Sequence, residues 1–183
     1  MKTAICYQHL KLSQLFQEYI RIMQRLTSKE YYSLEAPILF SEEDSRFNKC
    51  FGFLPVGGQK YKFSWYSDWV EPKIELLNKN NYGIGIDQHF CILNSSSGDF
   101  KCWGLDTPFV YMMVYERYVI VICEINILFI DLDTIKVEKE YMFTEIISDV
   151  KLVNRIMKII FINDNKIDIP IDDKNNQFVT QLN

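Results

Sequence analysis

From residue 83 onward, apolar and polar positions alternate in short runs broken by polar clusters. That pattern marks strands whose two faces see different surroundings. It predicts strands over His89–Leu93, Phe100–Trp103, Phe109–Tyr115, Tyr118–Cys123, Ile127–Leu132, Ile135–Met142, Val150–Val153, Ile156–Ile162 and Ile167–Ile171. Turn residues separate them at Asn94-Ser95-Ser96-Ser97-Gly98-Asp99, Glu116-Arg117, Glu124-Ile125-Asn126, Asp133-Thr134, Asn154-Arg155 and Asn163-Asp164-Asn165. No long helical pattern lies between the strands, so an antiparallel meander is expected and a parallel sheet is not.

The first part of the chain reads differently. Leu12, Leu15, Phe16, Tyr19, Ile22, Met23 and Leu26 recur at spacings of three and four, which predicts an amphipathic helix over Leu10–Leu26, with Thr27 and Ser28 as its exit. Pro37 excludes a regular helix around it, and Ser41 followed by Glu42, Glu43 and Asp44 resembles a capped helix start. Gln59–Val70 alternates, with Tyr61, Phe63 and Trp65 opposite Lys60, Lys62 and Ser64, and predicts another strand. A short helical segment is expected from Pro72 to Leu77. Together these give an α+β fold, a mainly antiparallel β meander forming a curved sheet or small barrel, with the N-terminal helix packed on it. Residues 1–183 are expected to form a single domain, in which 1–82 is the helix-containing part and 83–183 the acidic meander. The hairpins resemble propeller blades, but a blade takes roughly 40 residues, so about 90 residues of meander do not close a ring of four.

Composition fits a globular chain: 48% hydrophobic, 24% charged and 15% aromatic residues over 183 positions. The apolar run Tyr118–Ile130 is interrupted by Glu124 and Asn126, so no membrane-spanning helix and no membrane partner are expected, and residues 1–8 do not resemble a signal peptide. Five cysteines, Cys6, Cys50, Cys91, Cys102 and Cys123, with no C-x-x-C pair, argue against a disulfide framework and favour buried reduced thiols in a cytoplasmic protein. The net charge of −4 sits in the second part of the chain, because 1–82 carries more basic than acidic residues. An acidic surface attracts basic partners and repels nucleic acid.

Candidate chemistry is sparse. His89 and Cys91 share a strand face and form the one conceivable base and nucleophile pair, and Asp131 and Asp133 share the end of a strand, as carboxylates of metal-dependent hydrolases do. No metal-ligand spacing, P-loop or nucleophile elbow is present, and Gly83-Ile84-Gly85 lacks the third glycine of a dinucleotide fingerprint. Lys60 and Lys62 interleave with Tyr61, Phe63 and Trp65, but five arginines and an isoelectric point near 5.3 do not favour nucleic-acid binding. No cofactor is expected. The carboxylates Asp131, Asp133, Glu138, Glu140 and Glu145, with Tyr111, Tyr115 and Tyr141 as aromatic anchors, form the expected partner-binding face.

A small, acidic, β-rich chain without catalytic motifs, and with usage tilted toward Ile, Lys and Asn, resembles the immunity proteins of bacterial polymorphic-toxin and contact-dependent growth inhibition systems. The resemblance is of kind, and no residue run carries it. It implies a non-enzymatic inhibitor that occludes the active site of a cognate protein toxin, such as a basic nuclease. The alternatives from other classes are a small metal- or Cys/His-dependent hydrolase and a structural or adaptor module.

Overall fold

A computed structural model describes residues 23–42, 49–66 and 68–171, and the backbone of 180–182. It holds strands β1 (Gln24–Leu26), β2 (Cys50–Val56), β3 (Gln59–Trp65), β4 (Lys73–Leu76), β5 (Asn81–Ile86), β6 (His89–Asn94), β7 (Phe100–Gly104) and β8 (Phe109–Tyr115). They are followed by β9 (Tyr118–Cys123), β10 (Asn126–Asp131), β11 (Lys136–Phe143), β12 (Ile147–Val153), β13 (Ile156–Phe161), β14 (Lys166–Pro170) and β15 (Thr180–Leu182). Among the described residues the one α-helix is α1, Ser28–Ser33.

The strands form four separate sheets, each a meander of consecutive strands: β1-β2-β3, β4-β5-β6-β7, β8-β9-β10-β11 and β12-β13-β14. β15 adds to the third sheet, running parallel to β11. Pairing within each meander is antiparallel. The sheets stack face on face. Tyr61, Phe63 and Trp65 of the first meet Ile84, Ile86, Cys91 and Leu93 of the second. Phe90 and Ile92, on the other face of β6, meet Val119, Val121, Leu128 and Ile130 of the third. Tyr118, Ile120, Ile122, Ile127 and Phe129, on the third sheet's far face, meet Val150, Met157, Ile159 and Phe161 of the fourth. Period two therefore sends alternate residues of one strand into two different cores. The architecture is a fan of four sheets, like successive blades of a propeller.

Hydrogen bonds between turns repeat with the sheets. Ser95 donates its N–H to the Asn80 carbonyl, Leu132 to Arg117 and Ile171 to Arg155, at 2.7 to 2.8 Å. At the opposite strand ends Phe109 donates to the Asp87 carbonyl and Ile147 to Glu124. Corresponding residues recur at roughly 40 positions, the length of a propeller blade. The turns after β2, β4, β6, β8, β10 and β12 form one rim of the fan, and those after β5, β7, β9, β11 and β13 form the other.

This corrects the expected α+β fold of a single curved sheet or barrel carrying an N-terminal helix. Residues 10–22 of the expected helix lie outside the described residues, and Gln24–Leu26 at its end is a strand paired with Phe51–Phe53. Helical periodicity loses there to cross-strand pairing. Thr27 opens a helix instead of closing one. Its hydroxyl accepts the Glu30 N–H while the Glu30 carboxylate accepts the Thr27 N–H, a capping box around the six-residue α1. The segment from Pro72 to Leu77 contains β4 and no helix, because Ile74 pairs across to Ile84. β1, β2, β4 and β5 are strands that the spacing of apolar residues did not indicate.

The Gly83-Ile84-Gly85 pattern has a packing origin. Tyr82 and Gly83 pair with Leu93 and Ile92, and β8 crosses over β5 so closely that a Cβ on Gly85 would run into the Phe109 ring and one on Gly83 would lie 2.6 Å from Met112 Sδ. Gly85→Ala is expected to destabilise the chain by about 1–3 kcal/mol through overpacking, read from the urea midpoint, whereas Gly104→Ala, where a Cβ has open space, leaves that midpoint within the scatter of surface substitutions.

Candidate functional site

The carboxylates expected to form one acidic face are divided by the fold. Asp131 closes β10 at the first rim and is buried, with 1% of its surface exposed. Its Oδ1 accepts the N–H groups of Asp133 and Thr134 at 2.9 and 2.8 Å, and its Oδ2 lies 2.9 Å from Arg117 Nε. Burial acts to raise the Asp131 pKa, but the Thr134 and Asp133 amides, the Thr134 hydroxyl and the Arg117 guanidinium outweigh it and hold the group below the usual range. Asn94 does the same work one sheet earlier, its side-chain oxygen accepting the N–H groups of Ser96 and Ser97. Asp131 is thus a turn-forming residue, while Asp133 beside it is exposed.

Glu138 belongs to the same network. Its Oε2 accepts the Tyr118 hydroxyl at 2.9 Å and Arg117 Nη2 at 3.3 Å, and Arg117 Nη2 also donates to the Tyr118 oxygen at 2.8 Å. Three of the chain's charged residues are committed here to locking β9, β10 and β11 together.

Glu140 and Glu145 lie at the second rim. Thr107 Oγ1 donates to Asn126 Oδ1 at 2.7 Å, and Asn126 Nδ2 donates to Glu140 Oε1 at 3.0 Å, which ties the connection from β7 to β8 onto the third sheet. Glu140, Asp106 and Glu124 all act on Cys123 through their negative charge. Its thiol is pushed up to about 12, first by burial and then by these three carboxylates. The turn residues Asp106 and Glu124 are exposed, and the sequence reading missed them. The signal was available, since Glu124 stands one repeat after Asp87 in the same turn position. Glu145 accepts the Asn165 side-chain N–H groups at 3.3 and 3.4 Å.

The three tyrosines are spacers between the third and fourth sheets. Tyr111 accepts the Val150 N–H at 2.9 Å, Tyr141 packs edge-on to Phe129 with ring centroids 5.9 Å apart, and Tyr115 lies against the same core. Burial raises the pKa of both Tyr111 and Tyr141. The expected set therefore does not converge: Asp131, Asp133 and Glu138 are at one rim, Glu140 and Glu145 at the other, and Tyr111 and Tyr141 between sheets.

The hydrolytic constellations fare similarly. Cys91 is buried and joined in a disulfide to Cys102, its direct partner across β6 and β7 with Cα atoms 4.0 Å apart, which corrects the expectation that it is a free thiol. His89 Nε2 lies 2.9 Å from Glu42 Oε1, and its ring stacks on Phe40. Cys50 and Cys123 are free. Among the described residues no three His, Cys, Asp or Glu side chains gather as a metal site, and no helix is long and apolar enough to cross a membrane. Lys62 of the basic-aromatic strand is nearly buried under α1, where its ammonium donates to the Tyr31 and Leu34 carbonyls at 3.1 and 2.6 Å.

No protein-family model and no curated protein matches the sequence. Among solved structures, the chain is similar to the computationally designed Ika4 protein, at a TM-score of 0.46 and 11% identity over 76% of this chain and 94% of that one. It is also similar to BamB from Moraxella catarrhalis, with a TM-score of 0.44 and 11% identity over 67% of this chain and 42% of that one. The WD40 domain of Neurospora crassa Pan2 follows with a TM-score of 0.38 and 11% identity over 66% and 41%. The chain spans less than half the length of the latter two. Likenesses this distant carry nothing about function.

The Asp131 network has a consequence for acid stability. A carboxylate whose folded pKa is depressed stabilises the fold above its unfolded pKa, and that contribution drains away as pH falls through the folded value. Asp131→Asn is therefore expected to cost about 1–2 kcal/mol at neutral pH, and the gap between variant and parent narrows as urea titrations move below the ordinary aspartate range.

Proposed function

We propose that the chain is a non-enzymatic protein-binding module, an immunity protein that neutralises a basic protein toxin by covering its active site. The observation that carries the reading is the pair of exposed turn carboxylates Asp106 and Glu124 at the second rim, where the Glu124 N–H donates to the Pro108 carbonyl at 3.0 Å and Thr107 and Glu140 share Asn126. Stiffly held carboxylates steer a basic partner and need no ordering on contact. The committed chemistry of His89, Cys91 and Asp131 favours binding over catalysis. The proposed docking surface moves accordingly from the expected Asp131–Glu145 face to the rim carrying Asp106, Glu124 and Glu140.

The test is recovery of the tagged chain from its native host across a salt series. Retention of one basic protein is expected to fall steeply as ionic strength rises, since exposed charges are screened within about 8 Å at physiological salt. Asp106→Asn combined with Glu124→Gln is expected to weaken retention at low salt. A partner held equally by the parent and the double variant at every salt concentration refutes this rim as the docking surface.

The proposal places the chain in the cytoplasm, where thiols are kept reduced. The Cys91–Cys102 disulfide makes the compartment testable by alkylating thiols before lysis, where alkylation of both cysteines in the cell supports the cytoplasm. A bond already closed before lysis assigns the chain to an oxidising compartment instead.

A further inference from the structure

The turns from β6 to β7 and from β10 to β11 face each other across the first rim. Between them lies a cleft of about 400 Å³, within the usual range for small-ligand sites. Ile92 and Leu132 line it and are themselves buried, beside the buried Asn81, whose side-chain oxygen accepts the Asn94 amide N–H at 2.9 Å, so its floor is part apolar and part amide. Phe100, 40% exposed, lines it from β7. Asp99 and Asp133 line it from opposite turns. Lys101, the lysine of the lining, is already engaged: its ammonium donates to the Ile135 carbonyl at 2.9 Å and lies 5.2 Å from the centroid of the Trp103 ring. Among the described residues neither the Asp99 nor the Asp133 carboxylate has an ion pair or hydrogen bond, unlike the structurally committed Asp131.

The cleft thus combines a partly apolar floor, an aromatic ring and two carboxylates, supplied from different sheets, that have no hydrogen bond or ion pair of their own among the described residues, against the single positive charge of Lys101. We propose that it binds an arginine side chain, free or carried by a peptide. The methylene stem covers Ile92 and Leu132, and the guanidinium plane lies against Phe100 with its donors shared between Asp99 and Asp133. A planar cation with several donors suits two separate carboxylates better than a compact ammonium does, and a guanidinium on an aromatic face gains further attraction. This site is at the rim opposite Asp106 and Glu124, and the inference does not rest on the toxin-binding proposal.

The test is a titration of the ¹⁵N-labelled full chain with Nα-acetyl-arginine amide, followed by amide chemical shifts. Saturable shifts are expected at Ser97, Phe100, Thr134 and Ile135. The isosteric but uncharged Nα-acetyl-citrulline amide is expected to give none, and this comparison uses the unmodified chain. Asp99→Asn combined with Asp133→Asn is expected to weaken arginine amide binding by about tenfold or more. Free arginine in a parallel titration separates the sources. Comparable binding assigns the cleft to the free amino acid, and binding of the amide alone assigns it to a peptide-borne side chain. Absence of saturable shifts with both arginine ligands, equal binding of citrulline, or unchanged affinity in a well-dispersed double variant overturns the inference.

Discussion

Two-sided burial is the constraint on which this structure rests. An antiparallel sheet ordinarily gives one face to a core and the other to water. Here the third sheet gives both faces to cores, so Tyr118–Cys123 and Asn126–Asp131 are buried without interruption. Removing either neighbouring sheet would expose a complete apolar surface on β9 and β10. The second sheet is bound in the same way by Ile84 and Leu93 on one side and Phe90 and Ile92 on the other. The glycines of β5 follow from this demand for close stacking, as does the placement of α1. The first sheet's outward face would otherwise present Phe51 and the Lys62 stem to water, and Tyr31 covers both, 4.7 Å from the Phe51 ring and 4.9 Å from the ammonium.

The strands after residue 88 were legible because their turns are chemically marked. Asn94, Asp131 and Asn163 each use a side-chain oxygen to accept backbone N–H groups one turn further on, and such residues announce themselves in a sequence. Of the strands before residue 88, only β3, within the alternating Gln59–Val70, was. Pro55 in β2 and Pro72 before β4 are ordinary breakers read in isolation, and Gln24–Leu26 carries a helical pattern. Those segments become strands by pairing, Gln24–Leu26 with Phe51–Phe53 and the two proline-marked segments with the strand that follows each, and periodicity within a segment does not contain its partner. The repeat was hidden for a related reason. Gly98, with φ +79°, and Ile135, with φ +52°, occupy the same turn position in successive sheets. An identical backbone need is met there by residues that share no chemistry.

The residues expected to bind a partner were legible as carboxylates, but their commitment within the fold was not. Composition records charge, whereas availability depends on whether the fold has already used it. Asp131 and Glu138 are held by Arg117, and Glu140 is held by Asn126. A sequence offers only weak warning of this, in the form of an Asp opening a turn or a lone arginine in an adjacent hairpin. The carboxylates left over, Asp99 and Asp133 at one rim and Asp106 and Glu124 at the other, stand in turns, where the stacking of sheets makes no demand on them.

That separation leaves the two rims with different surfaces. The stack buries most of the apolar residues and Arg117 holds Asp131 and Glu138, so the carboxylates left to solvent at each rim stand in turns. The two rims differ in character. Arg117 and Arg155 stand among the carboxylates of the first and divide its charge into local pairs, one of them Arg155 with Glu116 at 3.2 Å. Around Cys123 at the second, Glu140, Asp106 and Glu124 add their fields in the same direction. A short-range, shape-dependent contact is suited to the first, where neighbouring opposite charges cancel at a distance. Long-range attraction is suited to the second, where they do not.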